Sequence, residues 1–569
     1  MKLKYSVLTS IAAMAAAVAS VSCTDTWDDH YSVNGTVPTA TLWESMQNDE
    51  SLRPFMRVLD SCGYKSVLDS RQTFTVWAPV ITDQEAQDWI DRYKADRANS
   101  DVPEDENTTV VQFIQNHIAM YTRPISSLTE DESIRMLNGK RMQLSSSKFN
   151  DEVNLVGQGV ASSNGMLYKV DAPVAFVPNI WERIRANVGG DEGLDSLVAF
   201  FRSWQHEELD EEASVPGGIV DGQTIYLDSV MYSYNTYFTM MGDIESEDSL
   251  YWFLAPTNKI WREHVDTYKN YFVYHTELGE EGDSLQNLYA KELLTANSFF
   301  SVREQEPPFN EEDPDSIIST TYSPYDPDFS VFEWPKRSGG ILEGLTPQEC
   351  SNGLLYTATD WRMKPTDLNI MSTIKVEAEY MDNYSTVTLS GDSTAIQASP
   401  VTVSSSMNDT LTVSSGGYLY VTDSRSGRTN QPEITFEIPN TLSNCPYDIK
   451  VVFASPLAAD TAAIADAQLK RQISARLRYY TSPTGNMIQG NSAVRLVEDV
   501  DVDATRMDTI TVATGRVFPV CNYAEEDSRV LLTIQSISGR TTPAGYSKNL
   551  LIDCVIFEPH PTEGTSDEN

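Results

Sequence analysis

The sequence predicts two copies of an α+β domain followed by an all-β sandwich, and three observations carry that prediction. A pair of short motifs recurs in the same order, first within residues 74–173 and again within 251–361. From about residue 371 the chain turns into short β-rich runs separated by turn residues. A strongly acidic chain, net charge −41, nevertheless opens on an apolar run that stops at a single cysteine, Cys23. At 569 residues the chain has room for about three or four domains, taking roughly 150 residues each.

Residues 1–22 have the parts of a secretion signal. Lys2 and Lys4 supply positive charge, "SIAAMAAAVASV" supplies an apolar centre too short for a comfortable membrane span, and Ser20 and Ser22 flank the expected cut. A cysteine directly after that cut resembles the bacterial lipobox, with Ser20 where leucine is usual. The resemblance implies lipidation of Cys23 after removal of 1–22. The alternative is an ordinary signal peptide followed by an incidental cysteine. Acyl chains would anchor the protein, since each buried CH₂ contributes about 0.8 kcal/mol. Asp25, Asp28 and Asp29 make residues 23–34 an acidic tether. Acidic residues at this place resemble the export signal of surface lipoproteins in glycan-foraging gut bacteria, which implies the outer face of the outer membrane.

The first repeat spans 35–185. "FTVWAP" (74–79) is a β-branched and aromatic run closed by a proline that cannot continue a central strand. "DQEAQDWIDRYKADR" follows as a helix with Trp89, Ile90 and Tyr93 on one face. In "SSNGMLYKVDAP" (162–173) the Asn-Gly pair signals a tight turn between two strands. The second repeat, 186–370, carries "YWFLAP" (251–256) and "CSNGLLYTATDW" (350–361), with about fifty irregular residues, 300–349, before its closing strand.

These motifs, with Asn116-His117 and "NGK" at 138–140, resemble the fasciclin, or FAS1, family. The second copy lacks a clear Asn-His; "TANSFFSV" stands near that place. The resemblance implies a β-wedge packed with helices and a role in adhesion or display rather than catalysis. His117, between Ile114 and Ile118, reads as a packed residue of the fold rather than a ligand or base.

Residues 371–560 carry "STIKVEAEYM", "EITFEIP", "YDIKVVFASP", "RLRYYTS" and "LLIDCVIFEP", the spacing of an antiparallel β-sandwich; 561–569 form a polar tail. The opening "VEAE" and closing "LLIDCVIFEP" resemble the jelly-roll, galactose-binding-like sandwiches of carbohydrate-binding modules, in which the first and last strands pair. Sugar sites use exposed aromatic faces, so Tyr418, Tyr420, Tyr479 and Tyr480 are the ligand candidates, against the alternative that such tyrosines simply pack the sheets. "TYSPYDPDFSVFEWPKR" (321–337) reads as a proline-punctuated loop, offering Tyr322, Tyr325, Phe329 and Trp334 as contact residues.

Chemistry is harder to find. The charge and a pI near 4.4 argue against nucleic acid and against peripheral binding to an anionic membrane. No CxxC, HExxH or GxSxG is present, and the cysteines after Cys23 (Cys62, Cys350, Cys445, Cys521 and Cys554) form no Cys/His cluster. "GQGVAS" (157–162) leads into a hairpin rather than a helix, so it is no phosphate cradle. "EDVDVDATRMD" (498–508) fails as an EF-hand at Ala504 and Ile510, and alternates like a half-buried strand. No cofactor, metal site or catalytic residue is assigned, and the expected class is a non-enzyme. Fasciclin lipoproteins of this kind resemble accessory partners of SusC/SusD-type nutrient importers. The alternatives are glycan capture by the sandwich and adhesion through the fasciclin-like pair.

Overall fold

The computed structural model describes residues 38–560, apart from 101, 103–105, 128–130, 221–222, 303–308, 323–328, 365–366, 368–370, 381–386, 390–395, 405–410, 425–430, 489–491, 525–528 and 537–544; side chains at 210–220, 223–232, 321–322, 329 and 387–389 are also left undescribed. Cys23 and Tyr325 lie outside the described residues. The chain is mixed α/β with many sheets, and it divides into two units at Pro178/Asn179.

The recurring motifs build the same small sheet twice. In the first unit Phe74–Pro79 runs parallel to Gly165–Val170 and antiparallel to Ile118–Met120, and Val160–Ser162 closes the edge. In the second unit Tyr251–Pro256 runs parallel to Gly353–Ala358, with Phe299–Ser301 and Gln348–Cys350 on the outside.

The Asn-Gly pair acts differently from the expected central pair of a turn. Ser163 and Asn164 form the turn, and Gly165 is already the first strand residue. Gly165 has φ +148°, and a Cβ there would sit 1.8 Å from the Phe74 carbonyl oxygen; Gly353 has φ +136° and meets Tyr251 in the same way. No side chain fits. Asn164 is buried and satisfies three backbone groups. Its Oδ1 accepts from Leu42 N at 2.7 Å, and its Nδ2 donates to the carbonyls of Leu68 and Ser70 at 2.9 and 2.8 Å. Asn352 repeats the arrangement with Ile180 N, Ile244 O and Ser246 O. Each asparagine thus ties its strand to the start of a capped helix, Leu42–Gln47 or Ile180–Ala186.

His117 is fully buried. Its Nδ1 lies 2.7 Å from the Phe113 carbonyl, and its Nε2 accepts from Val174 N at 3.0 Å. Burial pushes its pKa down to about 4. The second lobe places Asn297-Ser298 at the equivalent point, directly before Phe299–Ser301. Asn116 donates to Val174 O at 3.4 Å and accepts from Asn138 Nδ2 at 2.9 Å, and Asn297 bonds likewise, donating to Asp367 O at 3.0 Å and accepting from Ser319 Oγ at 3.4 Å.

One segment differs from the sequence expectation, and a second carries none. Residues 300–349 are not uniformly irregular: Ser316–Tyr322 and Phe329–Glu333 pair antiparallel, so β-ladder bonding takes up both ends of the expected loop. The acidic stretch after Trp204 forms a long two-stranded ribbon, Gln205–Val220 with Gln223–Asn235.

The last third is an antiparallel sandwich of one six-stranded and one five-stranded sheet. The expected pairing of first and last strands is present, Ile374–Glu377 against Leu550–Pro559. In Val494–Val502 and beyond, Asp501 and Asp503 are exposed while Val502 and Ala504 are buried, as the alternation predicts. The sandwich and the second lobe share one continuous core. Residues 269–278 form the seam: Cys521 N donates to Val273 O at 2.7 Å, Tyr274 Oη to Tyr523 O at 2.8 Å, Thr276 N to Pro483 O at 2.9 Å, and His275 Nε2 lies 2.8 Å from Gly485 O.

Candidate functional site

The four candidate sugar-binding tyrosines do not form an exposed platform. Tyr418 is only 4% exposed and packs with Ala454 and Leu551, because its strand is covered on that face. Tyr420 is half-buried and its hydroxyl accepts from Asn549 Nδ2 at 2.6 Å. Tyr479 packs edge-on against Phe518 at 5.4 Å, with the Arg516 guanidinium 5.7 Å from its ring. Tyr480 sits 4.4 Å from the His275 ring, so it belongs to the seam with the second lobe. Strand alternation places two tyrosines on one face without telling whether another layer covers it.

Of the loop candidates, Tyr322 and Phe329 are backbone register partners of the paired strands Ser316–Tyr322 and Phe329–Glu333. Trp334 is 40% exposed, with the Arg337 guanidinium 3.6 Å from its ring centre. Arg337 in turn pairs with Asp313 at 3.0 Å, so this corner is tied into its own lobe.

The sequence reading missed the most unusual chemistry of the described residues. Glu377 ends the opening strand Ile374–Glu377, and Glu379 follows it in the turn, across the buried Ala378. The closing strand brings Asp553 beside them, where Ala378 N donates to Asp553 O at 3.0 Å. The turn Ser414–Gly416, with Ser415 at φ 48°, closes the group. Ser414 N donates to Asp553 Oδ1 at 2.9 Å, and Ser414 Oγ to Glu377 Oε1 at 2.5 Å. Lys375 Nζ lies 3.0 Å from Glu377 Oε1 and also bonds Ser414 Oγ. Both Glu379 carboxylate oxygens are buried without a hydrogen-bond partner.

Three carboxylates and one ammonium group therefore influence one another's charge here. Burial first, then the charge of Glu377, pushes Glu379 up to about 7. Burial first, then Glu377 and Glu379, pushes Asp553 up to about 7. Such a group is neutralised by protons. The usable signal in the sequence was Glu377-x-Glu379 at the end of a first strand and an aspartate on its partner. A second cluster, Asp448, Glu558 and His560, has ligand atoms within 4.8 Å of one another. Its members are already engaged, Glu558 by Lys450 and Asp448 by Gly515 N at 2.8 Å.

No family model matches the chain, and no curated protein matches it. Among solved structures, the chain is similar to a FAS1 domain pair from the insect cell adhesion molecule Fasciclin I, at 12% identity and TM-score 0.20, covering 56% of this chain and 98% of that one. It is similar to the CBM22-1 xylan-binding domain of Paenibacillus barcinonensis Xyn10C, at 12% identity and TM-score 0.19, over 33% of this chain and 94% of that one. A third is the CBM22-1 and GH10 structure of Clostridium thermocellum endo-1,4-beta-D-xylanase 10B, at 13% identity and TM-score 0.20, over 32% of this chain; only 28% of that chain is spanned. Likenesses at this level say nothing of activity. No helix among the described residues is long and apolar enough to cross a membrane.

Proposed function

We infer that the protein is a non-catalytic, lipid-anchored surface protein that works by docking, as an accessory of a SusC/SusD-type outer-membrane importer. One observation carries the choice of docking over glycan capture. The tyrosines that a sugar platform would need are engaged, two in packing on their own sheets, one by Asn549 and one in the seam with the second lobe. The same seam joins the second fasciclin-like lobe and the sandwich into one continuous core. A rigid body of this kind presents a surface without ordering cost on binding, which favours docking.

The test is a pull-down of the tagged, full-length protein from detergent-solubilised outer membrane of its own cells. Stoichiometric recovery of a TonB-dependent barrel and its lid lipoprotein is the expected result. Recovery of the protein alone refutes stable assembly.

A second reading, glycan binding, is favoured by one cleft of about 640 Å³ in the sandwich, lined by Gln468, Lys470, Arg471, Asp501, Asp503 and Arg506 among others. Its amide, carboxylate and guanidinium groups suit sugar hydroxyls. Specific retention on a glycan array that Gln468→Ala abolishes would support it.

A further inference from the structure

The ribbon Gln205–Asn235 has no counterpart in the first lobe and plays no part in the site described above. Its strands pair only with each other among the described residues, so neither has a strand neighbour on its outer side. At roughly 3.3 Å per residue, the sixteen residues of Gln205–Val220 reach about 50 Å. A two-stranded ribbon of that length is marginal alone in water, and an open edge is a template for another strand.

The root of the ribbon is firmly planted. Asn235 caps the helix Thr236–Met241 and donates to Phe201 O at 2.8 Å. Trp204 lies 5.4 Å from the buried Tyr237 ring, and Tyr234 Oη donates to Glu208 Oε1 at 2.9 Å. The ribbon is thus an extension of a packed core rather than a loose loop.

Its two strands have different compositions. The first carries Glu207, Glu208, Asp210, Glu211 and Glu212 in one run, and no lysine or arginine occurs anywhere between 205 and 235. The second is built of β-formers, Ile225, Tyr226, Leu227, Val230, Tyr232 and Tyr234. Pro216 and the register shifts between Ile225 and Val230 interrupt the ladder. They leave the unbroken stretch from Gln205/Asn235 to Asp210/Val230 as the part of the edge that can take a strand, and the like charge of a chain at −41 opposes pairing between copies. The same carboxylates favour a cationic partner.

We propose that this ribbon is a docking arm that adds an exposed, lysine- or arginine-bearing strand of a partner protein to its edge. The arm deepens the docking reading above and rests on it. Backbone bonding along the open edge gives affinity, and the acidic run selects the partner and speeds encounter.

The experiment titrates two peptides of equal composition into the full chain by calorimetry. One alternates lysine and valine, and the other holds all its lysines in one block and its valines in another. A variant joins Glu208 to Tyr232, which are register partners, through Asn-Gly in place of 209–231. The alternating peptide is expected to bind the native chain at least about tenfold more tightly than the block peptide, and to lose about tenfold in the shortened variant and on raising salt. If shortening impairs folding, Glu207→Gln, Glu208→Gln, Asp210→Asn, Glu211→Gln and Glu212→Gln together provide the same comparison with the ribbon retained. Equal binding of the two peptides, or binding unchanged in both variants, overturns the arm. Concentration-dependent dimers that vanish on shortening also overturn it, in favour of a second copy as occupant. None of these results depends on the membrane pull-down, so the arm and the importer reading fail separately.

Discussion

Acidification should loosen the first lobe through one side chain, His117. Its ordinary pKa of 6.5 is lowered to about 4 in the folded protein, because burial disfavours the imidazolium. Between those values the unfolded chain binds a proton that the folded chain does not. Stability therefore rises with pH across the window: the contribution is complete above 6.5, falls as pH drops, and is lost by about 4. At 1.36 kcal/mol per pKa unit the loss is about 3 kcal/mol. Hydrogen exchange measured by mass spectrometry on peptides covering Phe113–Met120, corrected for intrinsic rates, reads this directly in the full chain. Wild type is expected to lose about 3 kcal/mol of protection between neutral pH and pH 4, and His117→Gln, which cannot ionise, less than about 1. The second unit supplies an internal contrast. Burial raises Glu292, Glu379 and Asp553 to about 7, so there the folded state takes up protons first and stability grows as pH falls from about 7 toward the ordinary carboxylate range. Equal loss in wild type and His117→Gln would refute the assignment to His117.

Two further outcomes follow from the buried polar groups. Asn164→Ala removes three backbone hydrogen bonds and strands a buried N–H at Leu42, for an expected cost of about 3–4 kcal/mol by chemical denaturation, and Asn352→Ala should cost a similar amount in the second lobe. A cost under about 1 kcal/mol in either would mean that the asparagine does not hold the strand to its helix. In the sandwich, Glu379→Gln should raise the melting temperature of the second unit at mildly alkaline pH, where the native carboxylate is ionised against its burial. The gain should shrink as pH falls below about 7, where Glu379 already holds a proton. An equal gain at both pH values would place the effect elsewhere.

The duplicated sheet was legible because backbone geometry dictates its residues. Gly165 and Gly353 stand where a Cβ would strike a carbonyl oxygen, and Asn164 and Asn352 serve helix starts more than a hundred residues away, so the pattern survives in two otherwise different lobes. Asn297-Ser298 shows the limit of that rule. The asparagine bonding persists there, while the histidine position tolerates another residue, so a search for the pair finds only one copy. The tyrosines of the sandwich were illegible for a different reason, since burial of Tyr418 and engagement of Tyr480 depend on layers that distant segments supply.

The ribbon was hidden by its own charge. A run such as Glu207–Glu212 disfavours strand formation locally, and only pairing with the β-forming 223–235 segment overrides it. The carboxylate group around Asp553 escaped in the opposite way: its acids lie in and just after strands that read as ordinary, and the strand pairing with the Ser414 turn brings them together. In both places negative charge is kept where neither local propensity nor packing asks for it. Charge retained against both is better explained by what it meets, a proton at Glu379 and Asp553, and a cationic strand at the ribbon.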